Sequence, residues 1–259
     1  MIRLGLCSGA CITRDMPGVI STAVGARLDA VEWEANLHVG VGDLHAAEET
    51  MIATLTAGLT TASYASIYRA GSEDAGYKRF AALLATAAVL QAPLLRIYTC
   101  SGAEKPGDFV SELKRLGDLT AKKGITLCLS YGRKTILDDY DKAKSIVEAV
   151  GHDFVRLAWE DLPGARSAEA SNALKDLGRL AGLVIARCAD RGGRTLPVAD
   201  ENDAWRERMG AFKLAEDDPK MSSFVFLGAS RAEGKEGEAS LSEDAKALRT
   251  IIGEIVKRP

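Results

Sequence analysis

Two glutamates stand where a carboxylate is expensive. Glu32 lies inside the apolar run Val31-Glu32-Trp33, and Glu160 follows Leu157-Ala158-Trp159. A carboxylate in such a setting costs free energy unless it is paired or used. Each is therefore a candidate acid or base for proton transfer at a substrate carbon. The alternative for Glu32 is a strand-end ion pair with Arg3 or Arg96, and for Glu160 a solvated loop position. Asp161 would point away from Glu160 on a strand, so the two do not form one catalytic pair. Arg96 and Arg187 also sit in β-like sequence, and a buried arginine must be paired. Two arginines from different strands either grip a phosphate or carboxylate, or form a salt-bridge layer with Glu32 and Glu160. His38 is flanked by the glycines of Leu37-His38-Val39-Gly40-Val41-Gly42-Asp43, a loop able to turn its ring into a pocket. His45 reads as a surface helix residue. His152 reads as a helix-end cation suited to the dipole. Tyr64, Tyr98 and Ser130 join His38, Arg96 and Arg187 as substrate-binding candidates. The five cysteines (Cys7, Cys11, Cys100, Cys128, Cys188) show no CxxC pair and read as reduced, buried packing residues.

Such residues act together only if a scaffold brings strand ends to one place. Short β-rich runs recur at 2–6, 30–33, 59–64, 94–98, 125–129, 154–159, 183–187 and 224–227. Segments 43–57, 109–122 and 241–256 between or after them carry helical apolar spacing. Gly58 and Gly124 stand where helix C-caps are needed, and Ser242 with Asp244 marks a start for the last helix. Eight alternations predict a closed parallel barrel, a single (β/α)8 domain over 1–259. An open doubly wound sheet is the runner-up, but its phosphate-binding glycine fingerprint is missing. Segments 191–203 and 229–240 read as loops on the catalytic face or as ordinary surface loops.

Composition narrows the function classes. The chain has 259 residues, 47% hydrophobic and 27% charged, with a formal net charge of -3. That charge gives no field for gathering phosphate backbones, so nucleic acid is not an expected partner. No run approaches the ~18 apolar residues of a membrane span, and the start lacks a secretory leader. The expectation is a cytoplasmic protein with no membrane partner. Only three histidines are present, which limits metal chemistry.

Several motifs resemble a known group. They are Val31-Glu32-Trp33, the loop His38 to Asp43, Ser63-Tyr64-Ala65-Ser66-Ile67-Tyr68-Arg69, and Ala92-Pro93-Leu94-Leu95-Arg96-Ile97-Tyr98. Weaker echoes are Thr135-Ile136-Leu137-Asp138, Arg194, Leu196-Pro197 and Trp205. The chain resembles the xylose isomerase-like TIM barrels, in the sugar phosphate isomerase/epimerase branch. The resemblance implies a divalent cation (Mn, Mg or Zn) held by a Glu, an Asp or Gln-like oxygen, a His and a Glu from strands five to eight. Ser130, Glu160, Arg187 and Phe226 stand at those positions, a set that cannot hold a hard cation. The family frame is thus expected without its metal, with Arg187 as a fixed positive charge against Glu160, and no other cofactor is implied. The related zinc-dependent AP endonucleases need a His- and carboxylate-rich site that this chain lacks. The expected function is a sugar or sugar phosphate isomerase or epimerase acting by proton transfer. Glu160 and Glu32 are the expected catalytic groups, a small carbohydrate is the partner, and homo-oligomers are open to the class. The alternatives are a non-catalytic sugar- or metabolite-binding barrel, and a metal-free lyase or dehydratase.

Overall fold

The structure, a computed structural model, describes residues 2–72, 76–101, 106–130, 135–162, 166–186, 188–189, 195–216, 224–227 and 234–256. Eight parallel strands close into a barrel. They are β1 (Arg3–Cys7), β2 (Ala30–Glu34), β3 (Thr60–Ala70), β4 (Leu94–Thr99), β5 (Thr126–Ser130), β6 (Val155–Trp159), β7 (Ala181–Ala186) and β10 (Phe224–Leu227). Around the ring the order is β1, β10, β7, β6, β5, β4, β3, β2. A short antiparallel pair, β8 (Cys188–Ala189) and β9 (Thr195–Leu196), lies after β7. The helices are α1 (Met16–Gly25), α2 (Leu44–Thr56), α3 (Tyr77–Val89), α4 (Pro106–Ala121), α5 (Tyr140–Val150), α6 (Ser167–Leu177), α7 (Asn202–Glu216) and α8 (Gly234–Val256). Each of the eight expected β-runs therefore forms a barrel strand.

Strand alternation divides the apolar residues into two cores. Side chains facing the helices, such as Leu6, Val31, Trp33, Tyr64, Leu95 and Trp159, form the outer layer. Cys7, Ala30, Ala62, Leu94, Cys128, Ala158, Leu183, Ile185, Phe224 and Phe226 fill the barrel interior. Small and large residues are matched there. The Phe226 ring stacks on Phe224 with centroids 5.9 Å apart. Its ring atoms would lie 2.6 Å from a Cβ placed on Gly5, so β1 needs a glycine at that level.

The helix ends follow local chemistry. Asp15, Asp43 and Asp139 accept hydrogen bonds from backbone amides at the starts of α1, α2 and α5. Gly58 (φ 77°) and Gly124 (φ 66°) take the left-handed turn expected after α2 and α4. Three expectations change. β3 runs on to Ala70, six residues past its predicted end, because bulges keep it paired to β4. α8 begins at Gly234, so Ser242 is interior to it and does not start it. The stretch before Ser242 has no apolar stripe and carries Gly234 and Gly237, so neither periodicity nor propensity marks it as helical. Asp244, also interior to α8, instead accepts a hydrogen bond from Ala199 N at 3.0 Å. The segment expected as a loop at 229–240 is thus helical from Gly234, and 191–203 contains β9 and a short 3-10 turn (Val198–Glu201).

Candidate active site

The mouth at the strand C-terminal ends carries a polar cluster on its β2–β4 side. Glu32 and Glu34 are two apart on β2, so both face inward. Arg96 on β4 lies opposite them. Its Nη2 donates to Glu32 Oε1 at 2.8 Å, and its Nε donates to Glu32 Oε2 at 3.0 Å. This is a two-pronged pairing of fixed geometry. The same Nη2 donates to Glu34 Oε1 at 3.0 Å, and Nη1 donates to Ser130 Oγ at 3.2 Å. The Cys7 thiol donates to Glu32 Oε1 at 3.1 Å. The local sequence dictates this assembly. β1, β4 and β5 each contribute one polar or thiol side chain at the same inward phase and β2 contributes two, and the register pairs Cys7 with Glu32 and Arg96 with Cys128.

Glu32 and Glu34 differ in what they can do. The Glu32 side chain has no solvent exposure, and that of Glu34 is 18% exposed. Burial pushes the Glu32 carboxyl up. The Arg96 charge and the hydrogen bonds from Arg96 and Cys7 outweigh it, so its pKa falls below the usual carboxylate value. Glu32 is a locked anion. Glu34 gains less from Arg96 and feels Glu32 as a like charge, and burial carries its pKa above the usual value. A half-buried carboxyl tuned upward beside a fixed cation suits proton transfer. Its surroundings are tight. Glu34 N donates to Ser8 Oγ at 2.8 Å, and a Cβ on Gly9 would meet Glu34 Oε1 at 3.3 Å. Cys7 is the opposite case: burial and then the Glu32 charge push its thiol far up, so it stays a neutral donor.

Among the candidates read from sequence, Glu32, Arg96 and Ser130 are brought together, with Ser130 buried under the Arg96 guanidinium. The alternative pairing of Glu32 with Arg96 is the one that forms. Tyr98 is half-buried above them, its ring centroid 5.9 Å from the Arg96 guanidinium carbon. Glu160 is half-buried just past β6, diametrically across the ring from β2. It stands two residues beyond Ala158, which faces the interior. Two anchors fix the peptide that carries it. Asp161 Oδ2 pairs with Arg208 Nη2 on α7 at 3.0 Å, and Leu162 N donates to Tyr140 Oη at 3.1 Å. Tyr64 and His38 go elsewhere. Tyr64 faces the helical layer, where its hydroxyl donates to Val39 O at 2.7 Å. His38 Nε2 lies 3.1 Å from Arg14 O, and its ring meets Trp33 edge-on at 5.8 Å. Burial lowers its pKa, so it is a neutral staple between the loops after β1 and β2. Arg187 lies outside the described residues. Glu34 is not among the candidates read from sequence, although its two-residue spacing from Glu32 on one strand is the signal for it.

Neither a family model nor a curated protein sequence matches the chain. Solved structures do. A xylose isomerase domain protein from Planctomyces limnophilus superposes with a TM-score of 0.75 at 12% identity, covering 98% of this chain and 99% of that one. The chain has the xylose isomerase-like TIM-barrel fold. The probable 3-DHS dehydratase involved in petrobactin synthesis from Bacillus anthracis gives 0.74 at 11% identity, covering 96% and 99%. The 3-keto-D-glucoside 4-epimerase from E. coli gives 0.68 at 17% identity, covering 96% and 100%.

Two of the positions that the resemblance assigns to a divalent cation are taken up otherwise: Phe226 packs against Gly5 inside the barrel, and Ser130 Oγ accepts from Arg96 Nη1. No group of three His, Cys, Asp or Glu side chains able to hold a metal occurs among the described residues. Among those residues, too, no helix is long and apolar enough to cross a membrane.

Proposed function

We propose that the barrel is a metal-free isomerase or epimerase of a small sugar or sugar phosphate. Glu34 and Glu160 exchange protons with a carbon next to the substrate carbonyl. The observation that carries this reading is the division of labour on β2: Glu32 is saturated by Arg96, while Glu34 remains partly exposed with an elevated pKa. Glu160 across the ring offers a second carboxylate to the other face of the same carbon. Inversion at carbon requires removal from one side and return on the other, which two opposed carboxylates allow. Arg96, neutralised by the two glutamates, holds the Glu34 carboxyl in place at the mouth. Glu32 acts through Arg96 and not on the substrate. The reading is also supported by neighbours of the same fold whose activities are a sugar epimerisation and a dehydration.

The test is solvent deuterium incorporation, read by mass spectrometry across aldoses, ketoses and their phosphates. The expected result is exchange at one carbon, lowered about 10²–10⁴-fold by Glu34→Gln. Absence of exchange across the panel, with tight binding retained, would instead favour a binding barrel. Loss of water from an exchanging substrate would favour a lyase.

A further inference from the structure

The long third strand does something that barrel closure does not require. β3 has eleven residues, against four to six in the other barrel strands. Its pairing with β4 slips between Ala65 and Arg69: Ala65 lies opposite Arg96, and Arg69 lies opposite Tyr98. Four residues on β3 thus span two on β4. The even count leaves Arg69 on the same side of the sheet as Ala65, Arg96 and Tyr98. Bulges of this kind re-aim side chains next to functional sites. Here the result is two guanidinium groups on one aromatic ring. The Arg69 guanidinium carbon is 5.8 Å from the Tyr98 ring centroid, and that of Arg96 is 5.9 Å. The two cations are in opposite states. Arg96 is buried and neutralised by Glu32 and Glu34. Arg69 is exposed at the rim and makes no ion pair with any described residue. Glu112 on α4 accepts from Gly71 N at 3.0 Å and makes no ion pair with Arg69.

We infer that Arg69, steadied on Tyr98, binds an anionic group at the far end of the substrate from the reacting carbon. The substrate class is a small sugar carrying a phosphate or a carboxylate. This deepens the reading of the mouth as a sugar site and rests on it. Stacking holds a guanidinium in place at modest cost, so less freedom is lost when an anion arrives. The separation from Arg96 across one ring suits a short carbon chain with its reactive end at Glu34 and its charged end at Arg69.

Calorimetric titration with inorganic phosphate tests the subsite without needing turnover. Glucose 6-phosphate, glucuronate and glucose then separate phosphate from carboxylate recognition. Phosphate should bind more weakly as salt rises. Arg69→Ala should weaken it about ten-fold or more, Arg69→Lys should do so less, and neither should change glucose binding. Tyr98→Leu should weaken phosphate binding with Arg69 intact, while Tyr98→Phe should preserve it. Equal phosphate and glucuronate affinity in the wild type and Arg69→Ala overturns the inference, as does a wild type that binds neither anion. If Arg69→Ala loses anion binding but no sugar exchanges deuterium, the subsite stands and the proposed reaction falls.

Discussion

Replacing Arg96 by Met removes the only cation among the described residues in contact with a carboxylate that has no solvent exposure. In the wild type, Glu32 keeps its charge because the Arg96 charge and the hydrogen bonds from Arg96 and Cys7 outweigh burial. Removing one partner of such a pair costs about 3–5 kcal/mol, because the other is left charged in a poor solvent. In a domain of this size that is a fall in Tm of about 6–20 °C. The sign of the pH dependence is the sharper test. The depressed wild-type pKa of Glu32 contributes stability that is present above the unfolded value and lost as pH falls through the folded one. Without Arg96 the remaining hydrogen bonds, such as that from Cys7, no longer outweigh burial, and the folded pKa of Glu32 moves above the unfolded value. Stability of the variant then declines as pH rises from about 4 toward 8. The deficit relative to wild type should therefore be smallest in acid and largest at neutral pH. Urea midpoints at pH 4.5, 6 and 7.5 measure it. Adding Glu32→Gln to Arg96→Met should restore much of the loss at neutral pH, since no buried charge remains at that position. A deficit below about 1 kcal/mol, or one independent of pH, would refute the account of Glu32 as a locked anion.

Other consequences are equally direct. Burial raises the Asp244 carboxyl to about 6, so its charged form opposes folding above that pH, and stability fades as pH rises from about 4 through 6. Asp244→Asn keeps an acceptor for Ala199 N; it should stabilise by about 1 kcal/mol at pH 7.5 and by nothing at pH 4, and a lower urea midpoint at pH 7.5 would contradict this. Gly5→Ala drives a Cβ to 2.6 Å from the Phe226 ring and should cost about 1–3 kcal/mol by thermal melting. Adding Phe226→Leu should relieve that strain, and an additive pair would show that the ring yields without cost.

What was legible in the sequence follows from how local each signal is. Barrel strands announce themselves because each is a short β-branched or apolar run set between helical spacings, so all eight could be read in order. Gly58 and Gly124 were legible because a left-handed turn after a helix has few other solutions. The end of β3 was not. A bulge alters pairing without altering residue type, and Ser66 to Ala70 carry no stop signal. The start of α8 was hidden because 234–240 lacks an apolar stripe and carries two glycines, which read as loop rather than helix.

The site was half legible for a related reason. Sequence parity identified the strand ends, and a carboxylate in an apolar run demanded a cation, which narrowed Glu32 to Arg3 or Arg96. Parity alone does not rank Glu32 against Glu34. That ranking depends on depth, and depth is set by where Arg96 reaches across from a strand more than sixty residues away. The deeper carboxylate takes both prongs of the guanidinium and becomes fixed; the shallower receives one and keeps an elevated pKa. His38 and Tyr64 show the converse limit. Both lie in stretches resembling the family motifs, yet His38 Nε2 and the Tyr64 hydroxyl are taken up by Arg14 O and Val39 O, so they shape the loops around the mouth. A glycine-flanked histidine is therefore weaker evidence for chemistry than two carboxylates at one strand phase. The histidine's backbone partners can absorb it, whereas a single arginine cannot satisfy two carboxylates equally.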